Sequence, residues 1–375
     1  MKRSLVLVLV FLSSACTEVL FVGPGSGDPA PPRSLDGWYF AGAVELTWEL
    51  SPQWDGEAFR VYGRRSTDRD YFLLAQVTSC IASLCRYQDS NIRENTQYEY
   101  YVTAVHTDPG IGTETATAYS LLVDVPSFAP PPVPEGLWGV GMDGAAFVGW
   151  SDNARSADDF TYYRIYLEDD SGELFLLGQS DSEGFLDLLA ENGSLIQYRV
   201  SSLDAWGHES GTSASVYVSP RPDFKGELLF SFNDDPGSSG FRFVPDEASN
   251  PVMSGVDGSR HFRVEELGGV WWLVPGPEAF GVTVGEFTTE LRCGPGSDAG
   301  CLDIPIAPAS GYTVQPVELL SEHSYVLRVR GDDGQVHFGV LRVALEGFDG
   351  QGRAVVVFDW AYQLRPDDPF LGPGG

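Results

Sequence analysis

The chain has 375 residues and carries 23 Lys and Arg against 53 Asp and Glu, so its formal net charge is −30. This charge argues against a nucleic-acid-binding protein, because phosphates need clustered Lys and Arg. It also argues against a protein held on anionic lipid by its own charge. Hydrophobic residues make up 43% of the chain, enough to build cores, and the length allows two or three domains.

The N-terminal segment reads MKRSLVLVLVFLSSAC. Lys2 and Arg3 precede an apolar run from Leu5 to Leu12, which is too short to span a bilayer. Small residues then lead to Cys16. The segment resembles the lipobox signal of bacterial lipoproteins, in which the cysteine is acylated and becomes the mature N-terminus. An ordinary cleaved signal peptide is the alternative.

The lipoprotein resemblance implies a signal peptide over residues 1–15 and a flexible tether over residues 16–34, attached to the membrane by lipid on Cys16. Thr17 stands where Asp would retain a lipoprotein in the inner membrane of enteric bacteria. The resemblance therefore implies a protein of the bacterial cell envelope, anchored in the outer membrane. Whether it faces the periplasm or the cell surface stays open.

Proline-rich stretches divide the rest of the chain. They cover residues 126–136 and 219–226, and a further stretch, RPDDPFLGPGG, ends the sequence. Each piece between them has a plausible size for one domain. The prediction is three domains and a disordered tail, over residues 35–126, 131–221, 225–365 and 366–375.

Short alternating apolar runs recur throughout these pieces, such as VELTW, FRVYG and YEYYVTAV, separated by Gly, Asp, Asn and Pro. This pattern is typical of half-buried strands. No stretch shows the sustained helical period of about 3.6 residues with caps. The predicted fold class is therefore all-β, with antiparallel sandwiches as the architecture.

The first two predicted domains share an order of landmarks. Trp48 and Trp150 end an early strand, FRVYG and YRIYL follow as the third strand, and Tyr98 comes six residues after Ile92 on a late strand. This order resembles the fibronectin type III domain, including its tyrosine corner. The resemblance implies two tandem immunoglobulin-like sandwiches with core tryptophans and a Tyr98 hydroxyl bonded to nearby backbone. Ile196 occupies the aligned position in the second domain, so the corner there should be missing or rebuilt.

The four cysteines after Cys16 lie in two close pairs. In an exported, oxidising setting such pairs form disulfides. Three connectivities are possible, and the local pairs Cys80–Cys85 and Cys293–Cys301 are favoured. A zinc site is disfavoured, because the spacings do not fit and no histidine lies close in sequence to either pair.

The third predicted domain carries His261, His323 and His337, which could ligate haem iron or a transition metal. The alternative is that they are surface or turn histidines. His337 alternates with Val336 and Phe338, so it is expected to point outward. The run YVLRVRGDDGQVHFGVLRV resembles part of the C-terminal region of HmuY-like haem-carrier lipoproteins. That resemblance implies a three-stranded meander and raises haem as a cofactor; otherwise none is expected.

Trp271 and Trp272 should face opposite sides of a strand, so at least one belongs to a core and the other could be an exposed binding aromatic. No nucleotide-binding, zinc-protease or serine-hydrolase motif occurs. The sequence favours an exported, lipid-anchored, non-catalytic binding or scaffolding protein. It would be a monomer with type III domains as spacers and an unknown protein or carbohydrate ligand. Haem or metal binding by the third domain, and an envelope hydrolase with a site in residues 225–365, are the alternatives.

Overall fold

The computed structural model describes residues 27–108, 110–246, 249–294 and 297–372. In these ranges the fold is all-β, as predicted, with short 3-10 helices at Asp152–Ser156 and Pro236–Ser238. No helix within the same ranges is long and apolar enough to cross a membrane. The predicted signal peptide over residues 1–15, Cys16 and the tether as far as residue 26 lie outside the described residues.

The chain divides into two compact units. One comprises Met1–Pro130 together with Ala205–His208, and the other comprises Pro131–Asp204 together with Glu209–Gly375. The first unit therefore holds the first predicted domain. The second unit holds both the second and the third.

The first unit contains a sandwich of two antiparallel sheets. Its strands are β1 (Arg33–Phe40), β2 (Ala43–Glu49), β3 (Ala58–Arg65), β4 (Phe72–Val77), β5 (Leu84–Asp89), β6 (Thr96–Val105), β7 (Glu114–Ala116) and β8 (Leu121–Val125). One sheet has the order β1-β2-β5; the other has the order β4-β3-β6-β7, with β8 also paired to β6. Phe59 and Val61 of β3 are buried and alternate with Arg60, so one face of the strand builds the core. Trp48 is fully buried there, as predicted.

The second sandwich repeats this plan. Its strands are β9 (Trp138–Met142), β10 (Ala145–Gly149), β11 (Phe160–Glu168), β12 (Leu174–Ser180), β13 (Gly184–Asp187), β14 (Ile196–Asp204) and β15 (Val216–Val218). The sheets have the orders β13-β10-β9 and β12-β11-β14-β15. Trp150, Tyr163 and Ile165 pack in the core between them. The predicted pair of sandwiches is confirmed.

The third domain is also built from two packed sheets. Its strands are β16 (Asp223–Phe230), β17 (Gly240–Phe241), β18 (Val252–Met253), β19 (Phe262–Leu267), β20 (Val270–Pro275), β21 (Ala279–Val282), β22 (Glu286–Phe287), β23 (Val317–Leu319), β24 (His323–Arg330), β25 (Val336–Phe348) and β26 (Ala354–Gln363). One sheet has the order β16-β26-β25-β24-β21, with β22 also on β24, and the other has the order β18-β17-β19-β20-β23. The meander β24-β25-β26 is as expected. Phe241, Phe358 and Trp360 lie in the core between the sheets.

The larger sheet of the third domain is covered on both faces. Its outer side carries a second core, in which Val326 and Val340 pack against Leu291, Ile304 and Leu371. The backbone N–H of Leu371 donates to the Pro305 carbonyl at 2.8 Å. The prediction of a disordered tail over residues 366–375 therefore needs correction for residues 366–372, because apolar contacts and backbone hydrogen bonds order them.

The proline-rich stretch over residues 219–226 was expected to separate two domains, but it packs within the second unit. The N–H of Gly193 donates to the Pro220 carbonyl at 2.9 Å, and the N–H of Arg221 donates to the Met142 carbonyl at 3.2 Å. Arg221 is buried, which lowers the pKa of its guanidinium, and it donates to the Phe370 carbonyl at 3.2 Å. The second sandwich and the third domain are thus joined by a polar junction.

Candidate functional site

Two of the three histidines of the third domain lie at one end of its sandwich, beside the turn between β24 and β25. His261 immediately precedes β19, and His337 is the second residue of β25. The turn is closed by a hydrogen bond from the Gly334 N–H to the Gly331 carbonyl, and Gly334 has φ 79, a conformation that favours glycine. A cavity of about 170 Å³ opens beside it, lined by Arg242, Phe243, Pro245, Asp332, Asp333, His337, Tyr362 and Leu364.

His337 is held through both ring nitrogens. Nδ1 lies 3.0 Å from the Gln363 carbonyl oxygen, and Nε2 lies 3.0 Å from Asp333 Oδ1. Both partner atoms are oxygens that accept hydrogen bonds, so both ring nitrogens are occupied. Hydrogen bonds from the Gln335 N–H and from this ring hold the pKa of Asp333 below its ordinary value.

The expectation that His337 points outward is wrong. His337 is buried, with only 4% of its surface exposed. It packs against Tyr362, with ring centroids 5.6 Å apart. Alternation along β25 places His337 opposite Phe338, but both faces of this strand are covered, so neither side is solvent.

His261 is held in the neutral form. Its Nδ1 accepts from the Phe243 N–H at 3.0 Å, which requires a lone pair, and its Nε2 donates to the Arg330 carbonyl at 3.1 Å. Burial, together with the nearby Arg242 guanidinium, lowers the pKa of His261 to about 3. Arg242 itself pairs with Asp332 at 2.5 Å.

The other candidate residues lie elsewhere. His323 begins the strand that ends at Arg330, so it lies roughly 23 Å along β24 from this end. Trp271 is buried in the core between the sheets. Trp272 faces the other way and is partly buried, opposite Glu265 and Glu318 on the neighbouring strands. The structure therefore brings only His261 and His337 together.

This arrangement ties loops together and offers no free ligand atom on either imidazole. All four ring nitrogens of His261 and His337 are already in hydrogen bonds. In the described ranges, no group of three or more His, Cys, Asp or Glu side chains is placed to hold a metal ion. The cavity is also smaller than the roughly 300 Å³ at which small-molecule pockets begin.

Each sandwich contains a buried tyrosine–aspartate pair that the sequence analysis missed. The Tyr100 hydroxyl donates to Asp89 at 3.0 Å, and the Tyr198 hydroxyl donates to Asp187 at 2.8 Å. Burial and the adjacent carboxylate raise the pKa of both tyrosines. The identical separation of 11 residues in both copies is the signal that could have revealed the pair.

A second network recurs on the outer face of the larger sheet of each sandwich. In the first, Glu114 accepts from Arg60, from the Tyr62 hydroxyl at 3.0 Å and from the Thr103 hydroxyl at 2.7 Å. In the second, Glu209 accepts hydrogen bonds from an arginine, a tyrosine hydroxyl and a small hydroxyl residue at the corresponding positions: Arg164, Tyr166 and Ser201. Burial would raise the pKa of Glu209, but these hydrogen bonds outweigh it and hold the pKa low. The two sandwiches are copies of one module.

The tyrosine corner is confirmed in the first sandwich. The Arg93 N–H donates to the Tyr98 hydroxyl at 2.9 Å, and Tyr98 is 7% exposed. Both predicted disulfides are also confirmed, with Cα atoms 4.4 Å apart in Cys80–Cys85 and 5.8 Å apart in Cys293–Cys301. The strand order, the core tryptophans and the corner define the class of the N-terminal part: tandem fibronectin type III-like sandwiches.

Solved structures similar to the chain are fibronectin type III domains. The FN1–FN3 domains of chicken CNTN1 are 15% identical, over 52% of this chain and 69% of that one, with a TM-score of 0.43. A Fn3-like protein from Clostridium thermocellum is 26% identical, over 26% of this chain and 95% of that one, with a TM-score of 0.21. FN3tt mut is 19% identical, over 24% of this chain and 92% of that one, with a TM-score of 0.19. No protein-family model and no curated protein matches the chain.

Proposed function

We propose that the protein is a lipid-anchored, non-catalytic binding or scaffolding protein of the bacterial envelope, with type III-like sandwiches as spacers. The observation that carries the proposal is the repeated module. Its buried polar groups, such as Asp89 with Tyr100 and Asp187 with Tyr198, hydrogen-bond each other and serve the architecture. The envelope location is supported by the N-terminal basic and apolar run before Cys16.

Fractionation of a bacterial host tests the anchor. The full chain should sediment with membranes and dissolve in detergent, and mass spectrometry of its N-terminal peptide should show acyl chains on Cys16. Cys16→Ser should move the protein to the soluble fraction, whereas the neighbouring Thr17→Ala, which keeps the cysteine, should not. Membrane retention of Cys16→Ser would contradict the lipid anchor.

The non-catalytic role is tested with the purified full-length protein in detergent. Panels of polysaccharide and peptide substrates should show no product, and the same panels used as immobilised ligands should identify a protein or carbohydrate partner. We expect sedimentation at the mass of a monomer. If the protein turns over any substrate, and this activity persists after the protein is purified again, the hydrolase alternative would replace this proposal.

A further inference from the structure

The first sandwich has a cleft whose lining residues differ from those at the corresponding positions of the second sandwich. It encloses about 330 Å³ between the edge strand β4 and the loop that follows β5. Phe72, Leu74 and Gly63 supply its apolar lining, and Phe72 is 62% exposed. A concave site of this size, with an apolar lining and a few polar groups, is the form that small-molecule sites take.

We propose that this cleft binds a small organic acid, whose apolar body lies against Phe72 and whose carboxylate is received by Arg65 and Arg93. Both arginines line the cleft together with Asn91. In the part of the chain that the structure describes, neither guanidinium forms an ion pair with an acid. Guanidinium groups are the side chains best suited to a carboxylate, because their N–H groups match its two oxygens.

Two acids, Asp68 and Asp89, also line the cleft, and neither forms an ion pair with Arg65 or Arg93 in the described residues. Asp89 is buried and accepts hydrogen bonds from the Asn91 N–H and the Tyr100 hydroxyl, both at 3.0 Å. Asp68 is exposed, and the cleft is also lined by Arg64, Arg65 and Arg93. Glu99 pairs with Arg64, so among the residues that the structure describes Arg65 and Arg93 are the lining cations without an ion pair.

The walls of the cleft are held in place by other contacts. The Tyr98 hydroxyl fixes the backbone at Arg93 through the 2.9 Å hydrogen bond of the tyrosine corner. Arg64 pairs with Glu99 at 2.6 Å, and its Nη1 donates to the carbonyls of Asp68 and Arg69 at 3.1 and 3.0 Å. Burial would raise the pKa of Glu99, but hydrogen bonds from Ser120 and Arg64 outweigh it. A site with fixed walls loses little entropy when a ligand binds.

The second sandwich is an internal control for this cleft. Strand register places Tyr198 opposite Leu167 and Tyr100 opposite Gly63, and the stretch from Asp89 to Tyr98 has the same length as that from Asp187 to Ile196. The cleft residues that differ between the copies are these: Gly63 corresponds to Leu167, Arg64 to Glu168, Arg65 to Asp169, Arg93 to Glu191 and Tyr98 to Ile196. The module therefore folds with anions at all three arginine positions, so the fold itself does not require these cations.

The test uses the full-length protein and 19F NMR line broadening of 3-(4-fluorophenyl)propionate, with its neutral amide as the matched ligand. We expect the carboxylate to bind with a Kd of about 1 mM and the amide to bind at least about tenfold more weakly. Arg65→Asp/Arg93→Glu, which installs the residues of the second sandwich, should weaken carboxylate binding by about tenfold or more. Unchanged circular dichroism and melting temperature will confirm that the variant is folded.

The control is Arg69→Asp/Arg86→Glu, which replaces two exposed cations outside the cleft lining and changes the net charge equally. It should keep the affinity within about twofold. Equal binding of carboxylate and amide, equal loss in both double variants, no binding at about 10 mM, or equally strong competition by inorganic phosphate would each overturn the proposal. The inference rests on the proposed binding role, whereas the Cys16 fractionation succeeds or fails independently of it.

Discussion

Removal of one hydroxyl from the second sandwich tests the role of its tyrosine–aspartate pair. In Tyr198→Phe the carboxylate of Asp187, which is 6% exposed, loses the 2.8 Å hydrogen bond and keeps only the N–H of Leu189 at 2.9 Å. Hydrogen bonds to charged groups contribute about 1.5–3 kcal/mol, and a buried acceptor without its donor cannot recover them from water. We expect a loss of that size, a factor of about 10 to 150 in the unfolding equilibrium.

Guanidinium chloride unfolding will measure the loss, and native-state hydrogen exchange of the β14 amides will assign it to this sandwich. Tyr217→Phe is the matched control, because Tyr217 lies in the same sandwich and is 46% exposed. Tyr100→Phe should cost a similar amount in the first sandwich, where the hydroxyl lies 3.0 Å from Asp89. The reasoning is refuted if Tyr198→Phe costs no more than Tyr217→Phe.

Three further predictions concern the third domain. Burial raises the pKa of Tyr325 to about 12, whereas a tyrosine in the unfolded chain ionises near pH 10. The contribution of Tyr325 to stability should therefore be constant below about pH 10 and fall towards pH 12. Denaturant midpoints measured across this range will show the fall, and a flat profile would contradict it. Removal of the second disulfide in Cys293→Ser/Cys301→Ser, which leaves Cys80–Cys85 intact, should cost about 2.5 kcal/mol in guanidinium chloride unfolding, and an unchanged midpoint would contradict it. Haemin titration should give no Soret shift from His261 or His337, because both ring nitrogens of each histidine are already in hydrogen bonds. A Soret shift that is lost in His337→Ala would favour the haem alternative.

The features that the sequence predicted correctly are those set by local spacing. The separation of Ile92 and Tyr98 indicated the tyrosine corner, and the close cysteine pairs indicated both disulfides. Each depends on a few neighbouring residues whose geometry the backbone restricts. Alternating apolar runs likewise predicted strands, because one face of a strand needs burial whatever lies on the other side.

The features that were missed depend on segments far apart in the chain. His337 is covered by Tyr362 from a distant strand, and the order of the tail comes from Leu371 against the outer face of the sheet. No pattern within β25 tells which distant segment covers its second face. The tyrosine–aspartate pairs were missed for a different reason: each pair looks incidental alone, and only the equal separation in both copies reveals it.

A comparison of the two sandwiches distinguishes the residues that both copies share for folding from the residues that only the first copy carries. Both keep the tyrosine–aspartate pair and the glutamate network, while the positions of Arg65 and Arg93 in the first copy are occupied by Asp169 and Glu191 in the second. Under the proposed function, acidic residues at those positions suit the second copy to a spacer role. The second copy is also joined to the third domain through the buried Arg221. Under the proposed function the roles divide: the second sandwich positions the third domain, and the first presents the cleft lined by Arg65 and Arg93.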